Sequence, residues 1–496
     1  QEGSILSHSS ILCRELGIPC IIGGHPFSSS FHGKGVKLDG SQGTISIERS
    51  YEDMPSAITS VFLKSPHKEE AQTGLVSRTG PHLASRIPSS FSSILQRIAY
   101  LPGVVSAVEI YPDIRFRKAP KNIPFPIGVA FRADRLFPTA VCDMGDGFRL
   151  CRIRGITPEE FKSSMKTNLL KLNQLFEGNQ AQREYVRKEL SLEAILKNGL
   201  QALNGTRFEE PLPNNVEDGG WQEGADHKPV FNDDALLELA NKCLLTRGEY
   251  GHFFDIVEMD TGDGNHSELF AFFHCGSNEC GLHFFMKNSQ LGHKIAAYEG
   301  LDDFDSIQSG FWGLDITKNA GRSTLAAALS LNNFGFVKRR LAQYLLEKGL
   351  RRTFGKRARL ELVSDVLHST VRPDGSTLLH QQGIQRTRIN DNPISLVVSG
   401  APGVESFLVK QNASKNNVQF CPHGKTYFGI DKRFERAEHD EIVFNQTKID
   451  GCVWPDDTPA NLAGAQVREA VALAKSECDC NVIGRLNPII CVRGKG

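Results

Sequence analysis

Apolar residues along this chain fall into short runs broken by Gly, Pro and polar clusters, and the spacing changes from region to region. In the first fifty residues a Ser-rich turn leads to the helical pattern Ile11-Leu12-Cys13-Arg14-Glu15-Leu16, then Gly17-Ile18-Pro19 and the apolar strand Cys20-Ile21-Ile22. Val36 to Gly40 and Gly43 to Ile47 alternate as two strands around a turn. Residues 51–95, rich in Ser, Pro, Lys and His, read as a connector. Beyond them, apolar strands are predicted at Val104-Val105, Phe253 to Val257, Leu269 to Phe273, Ser395 to Val398 and Ile489 to Val492, with helical stretches over 160–200 and 323–350. That mixture predicts an α+β domain over 96–496, preceded by an α/β piece over 1–50. Asn204 to Phe231, with Pro211, Pro213, Gly219, Gly220 and Gly224, lacks an apolar period and reads as a long loop, functional or disordered.

Composition narrows the classes of function. The 57 basic and 57 acidic residues cancel, so a nucleic-acid site must come from local clusters of Lys and Arg. The densest is Arg351-Arg352-Thr353-Phe354-Gly355-Lys356-Arg357-Ala358-Arg359, with Arg115-Phe116-Arg117-Lys118 another. Arg351, Arg352, Lys356 and Arg357 are candidate RNA contacts, and a solvated face is the alternative. No apolar stretch approaches the roughly 20 residues of a membrane helix, and no membrane partner is expected. Twelve cysteines are scattered, with Cys478-Asp479-Cys480 the tightest spacing and no second pair to complete a zinc ribbon. A reducing, cytoplasmic compartment is expected.

Gly3-Ser4-Ile5-Leu6-Ser7-His8-Ser9-Ser10, continuing through Ile11 to Pro19 and the Asp39-Gly40 and Gly43 turn, resembles the phosphohistidine signature of phosphoenolpyruvate-utilising mobile (swivelling) domains. A His just ahead of a helix can have its phosphoryl group held by the helix N-terminus and by Ser hydroxyls. The resemblance makes His8 the phosphate carrier; the plainer reading is a helix cap. Because the chain opens on Gln1 inside this motif, a truncated N-terminus is expected.

Residues 96–496 resemble RNA ligases of the RtcB family through motifs in family order. They are Tyr111-Pro112-Asp113, Pro124 to Gly128, Cys142-Asp143-Met144-Gly145-Asp146-Gly147-Phe148-Arg149-Leu150, Gly248 to Ile256, Phe272-Phe273-His274-Cys275-Gly276-Ser277 and Ser364-Asp365-Val366-Leu367-His368. The resemblance implies two manganese ions, one held by Asp143, Asp146 and His252 and the other by Asp146, His274 and His368. The family has Cys where Asp146 stands; a carboxylate can also bridge but is a harder ligand. On chemistry alone, two carboxylates three residues apart in a Gly-rich turn suit a hard cation, and histidines at strand ends suit a transition metal. A solvated turn and satisfied core histidines are the bland alternatives.

His423, in Cys421-Pro422-His423-Gly424, falls where the family's guanylated histidine lies, after Val397 to Leu408 with its strand-turn. The resemblance places nucleotide contacts at Ser399, Gly400, Gly403, Gly424 and Arg493. It departs at Gly424-Lys425-Thr426-Tyr427, where the family has Gly-Ala-Gly-Arg, at Arg493, where the family has Lys, and at His380-Gln381-Gln382-Gly383, which lacks a basic pair. The implied reaction joins an RNA 3′-phosphate or 2′,3′-cyclic phosphate to a 5′-hydroxyl, using GTP. His423 takes GMP, the RNA phosphate accepts it, and the 5′-hydroxyl displaces it. The sequence leaves open an unidentified activating protein partner. It also leaves open a degenerate relative that binds metal and RNA without ligating, and a phosphotransferase working through His8.

Overall fold

The computed structural model describes residues 94–96, 98–117, 125–165, 180–210, 214–246, 252–260, 267–298, 312–400, 404–412, 419–424, 427–431 and 460–493, with short strands at 34–39, 44–50, 75–77, 442–444 and 447–448. The chain forms two compact units, Gln1–Ala71 and Gln72–Gly496. In the first, Lys34–Asp39 and Thr44–Ser50 pair as an antiparallel hairpin. The helix and strand expected over 11–22, and His8 with them, lie outside the described residues.

The second unit is an α+β fold around one large curled sheet. Its main strands are β1 (Val108–Arg117), β2 (Ile127–Ala133), β3 (Asp146–Arg154), β4 (Phe253–Asp260), β5 (Glu268–Cys275), β6 (Arg359–Asp374), β7 (Thr377–Gln382), β8 (Ser395–Val398), β9 (Ser406–Gln411), β10 (Tyr427–Asp431) and β11 (Cys480–Arg493). They lie side by side in the order β8-β9-β11-β4-β5-β3-β6-β7-β2-β1-β10. All neighbours are antiparallel except β1 and β10. Leu75–Ser77, inside the stretch read as a connector, adds a parallel strand beside β1.

The central strands are apolar on both faces because both faces are covered. Phe148, Phe253, Phe270, Phe272 and Val366 point into the curl, where α5 (Ala460–Glu477) packs Val467, Ala470 and Val471. Cys151, Ile153, Phe254, Ile256, Ala271 and Phe273 point outward against Leu346 and Leu350 of α4 (Asn319–Phe354). The other helices needed below are α1 (Leu192–Asn198), α2 (Asp234–Cys243) and α3 (Glu279–Tyr298).

Three expectations need correction. Val104 forms only an isolated bridge to Ala133, since Gly103 turns the chain at φ +88°. The helical stretch read over 160–200 is instead Pro158–Met165, Gln180–Arg187 and α1 among the described residues. The loop of 204–231 is a packed strap: Phe208, Val216, Glu217 and Val230 are buried, and the Leu367 N–H donates to Glu217 Oε2 at 2.7 Å. Its order comes from tertiary partners rather than from an apolar period. Among the described residues no helix is long and apolar enough to cross a membrane.

Candidate metal centre and nucleophile

Four adjacent strands set up the site by register. Phe253 lies opposite His274, His274 opposite Phe148, and Phe148 opposite Val366, so one row crosses β4, β5, β3 and β6. With strands about 4.8 Å apart, side chains in that row reach one another. His252 stands just before this row, His368 two residues past Val366 on the same face, and Asp146 at the start of β3.

Their reactive atoms converge on one carboxylate oxygen. Asp146 Oδ2 lies 3.1 Å from His252 Nε2, 3.3 Å from His274 Nε2 and 3.6 Å from His368 Nε2. His368 and His274 bring their Nε2 atoms to 3.1 Å of each other. Asp146, His274 and His368 form a group whose geometry could hold an ion. Two imidazole nitrogens so close can share only one proton, and a buried carboxylate ringed by three imidazoles suits a divalent cation better than it suits protons. The residues present fit a metal.

Electrostatics agree. Burial works against the Asp146 charge, but His252, His368 and His274 outweigh it and hold the carboxyl well below its usual range. Burial pushes His274 down and His368 well down, favouring the neutral imidazoles that a cation requires as ligands. Burial would lower His252 too, yet the Asp146 charge beside it wins and raises it. Asp143 is buried in the same turn, where its carbonyl accepts from the Asp146 N–H at 3.0 Å and its charge acts on His252.

His423 stands beside this cluster, its ring centroid 4.6 Å from that of His368, with Phe148 packed against both. It follows Phe420–Pro422, a short strand paired with Ile384–Arg386. Its Nδ1 donates to the Gly383 carbonyl at 2.6 Å, with Asp113 Oδ2 3.5 Å away. That bond fixes the tautomer and leaves Nε2 as the basic nitrogen. Gly383 also donates its N–H to His368 O at 2.6 Å. Its φ of +71° and the closeness of Ile127 leave no room for a Cβ.

Of the expected nucleotide contacts, Ser399 N–H donates to His423 O at 2.9 Å, Gly400 N–H to Ser406 Oγ at 3.0 Å, and Gly424 bridges to Ser399. All three therefore adjoin His423. Gly403 lies outside the described residues. Arg493 pairs in register with Phe253, beside His252, and its side chain is also outside them. The basic run is elsewhere: Arg351 and Arg352 close α4, Lys356 follows, and Arg357 pairs with Glu160 at 2.9 Å. Asp113, Gly383 and Arg339 join the site without having been singled out as site residues. Asp113 and Gly383 sit in segments that the resemblance marks; Arg339 carries no local signal.

His380 behaves as a core residue. It stacks on Phe131, accepts from the Phe137 N–H at 3.0 Å, and is pushed by burial to about 3.

A family model described as tRNA-splicing ligase RtcB matches residues 94–427, which include every residue of this cluster. A second, described as PEP-utilising enzyme, mobile domain, matches residues 1–43, which include His8.

Proposed function

The chain belongs to the tRNA-splicing ligase RtcB family and at that level is an RNA ligase, and from that premise we propose that it seals RNA 3′-phosphate or 2′,3′-cyclic phosphate ends to 5′-hydroxyl ends through GMP carried on His423. The observation that supports this reading is the convergence of Asp146, His252, His274 and His368 beside the His423 ring.

In this reading Asp146, His274 and His368 would hold one manganese ion, and Asp143, Asp146 and His252 would hold a second. Bound metal supplies Lewis acidity and neutralises phosphate charge. His423 Nε2 attacks the α-phosphorus of GTP as the bond to pyrophosphate breaks, while Nδ1 keeps its proton on the Gly383 carbonyl. Asp113, close to the same nitrogen, favours the cationic imidazolium that results. The RNA 3′-phosphate oxygen then takes GMP from His423, restoring neutral imidazole, and the 5′-hydroxyl displaces GMP as the new phosphodiester forms. A 2′,3′-cyclic end is first opened by water. Ser399, Gly400 and Gly424 shape the nucleotide side, and the resemblance adds Gly403 and Arg493 as further nucleotide contacts. The sequence match at residues 1–43 supports a mobile domain in which His8 carries phosphate.

The test is incubation with Mn2+ and α-labelled GTP followed by a denaturing gel. Wild type and His8→Ala are expected to retain label and His423→Ala to lose it. A wild type that stays unlabelled while still binding Mn2+ and RNA would overturn ligation and leave a metal- and RNA-binding protein.

A further inference from the structure

We propose that Arg339 is the positioning residue of the candidate metal centre, an inference that rests on the metal-centre reading above. Its side chain, fully buried on the outward face of the sheet, is aimed at three ligand-bearing segments at once. Nη1 donates to Gly145 O at 3.0 Å and to Cys275 O at 2.8 Å, and Nε to Asp365 Oδ1 at 2.8 Å. Gly145 immediately precedes Asp146, Cys275 immediately follows His274, and Asp365 lies three residues before His368 on β6.

Only a guanidinium does this. Its planar fork offers five N–H donors in fixed directions, whereas an ammonium on the same helix is a point charge that cannot span two carbonyls and a carboxylate together. The fork is itself held. Asp365 uses its other oxygen to accept from Arg149 Nη1 at 2.6 Å, and Arg149 Nε donates to Gln343 of α4 at 2.6 Å. Two glycines make the approach possible. A Cβ on Gly335 would stand 2.2 Å from Gly145 O, and one on Gly147 would stand 3.1 Å from the Arg339 guanidinium carbon.

The consequence is mechanical. Asp146 and His274 sit at the start of β3 and near the end of β5, and Arg339 fastens both to β6 through Asp365. Without it the strands would still pair, but the ligand atoms would lose the shared reference that keeps them converged. Such outer partners typically change metal affinity by about 10- to 100-fold when removed.

The experiment uses the full chain with Arg339→Met, which keeps bulk, and Arg339→Lys, which keeps charge. Arg154→Met, which removes solvent-facing ion pairs to Glu361 and Glu268 at the far end of β3, is the control. Mn2+ affinity is read from the electron paramagnetic resonance signal of the free aquo ion, ligand geometry from the visible bands of the Co2+-loaded protein, and folding from circular dichroism. Arg339→Met is expected to bind Mn2+ about tenfold or more weakly, with altered Co2+ bands. Arg339→Lys should be intermediate, and Arg154→Met unchanged. Folded Arg339→Met with wild-type affinity and bands would overturn the inference. Should that variant not fold, Arg339→Lys decides on the same two readouts. A wild type that binds no Mn2+ would instead overturn the metal-centre reading itself.

Discussion

Gly383 lies between His368 and His423, giving its N–H to His368 O and accepting the His423 Nδ1 proton on its own oxygen. Gly383→Ala must accept φ of +71° and a Cβ 2.2 Å from Ile127 Cγ2, so it should cost about 1–3 kcal/mol of stability. It should slow GMP labelling more than it weakens Mn2+ binding, measured by denaturant midpoint and labelling rate. Labelling at the wild-type rate would show that the peptide does not set the nucleophile. Asp146→Asn removes the one charge on which three imidazoles converge, and Mn2+ binding should fall below detection in the free-ion signal; retained binding would move the ligand role elsewhere. At this scale the sequence is partly legible. His252, His274 and His368 stand in motif order at the edges of apolar runs, where side-chain direction can be read. Arg339 cannot be, because its partners are far along the chain and nothing local marks it; Gly383 stands in a segment the resemblance names, but its two partners, His368 and His423, are not legible from it.

Among elements, the strap of 204–231 is held to its neighbours through buried charge. Glu210 binds Arg149, which is fully buried, lies 3.7 Å from Arg340, and accepts from Gln343 Nε2 at 2.9 Å. Burial opposes its charge, but the Arg149 and Arg340 guanidinium groups hold its carboxyl below the usual range. A folded value below the unfolded one means that this stabilisation is complete above about pH 4.3 and is lost as pH falls through the folded value. Glu210→Gln leaves Arg149 short of a counter-charge and should cost roughly 3 kcal/mol at neutral pH. It should also flatten the decline of stability below pH 4.3. Urea unfolding across pH would check both, and an unchanged acid limb would remove Glu210 from the account. The elements legible in the sequence are those marked by an apolar run or period: β4, β5, β8, the Ile489 to Val492 part of β11, and α4. The strap is not, since its order is conferred by β6 and Arg149 rather than by its own pattern.

For the whole molecule, position along the strands separates two features that sequence leaves side by side. Asp146 opens β3, and Arg154, opposite Arg359, closes it. Eight residues at about 3.3 Å each put the basic run some 26 Å from the cluster. Arg351→Glu with Arg352→Glu should therefore leave GMP labelling of His423 unchanged, whatever it does to retention of long RNA on a filter; slowed labelling would contradict this separation. The row of ligands across β4, β5, β3 and β6 also has a meaning in time. These strands are neighbours in space but come from distant stretches of the chain, and β6 is made last. A polypeptide emerging from the ribosome carries Asp146, His252 and His274 long before His368. β4, β5 and β3 pair with one another without β6, so Asp146, His252 and His274 share one sheet early, and the cluster gains its last imidazole only when β6 is laid beside β3.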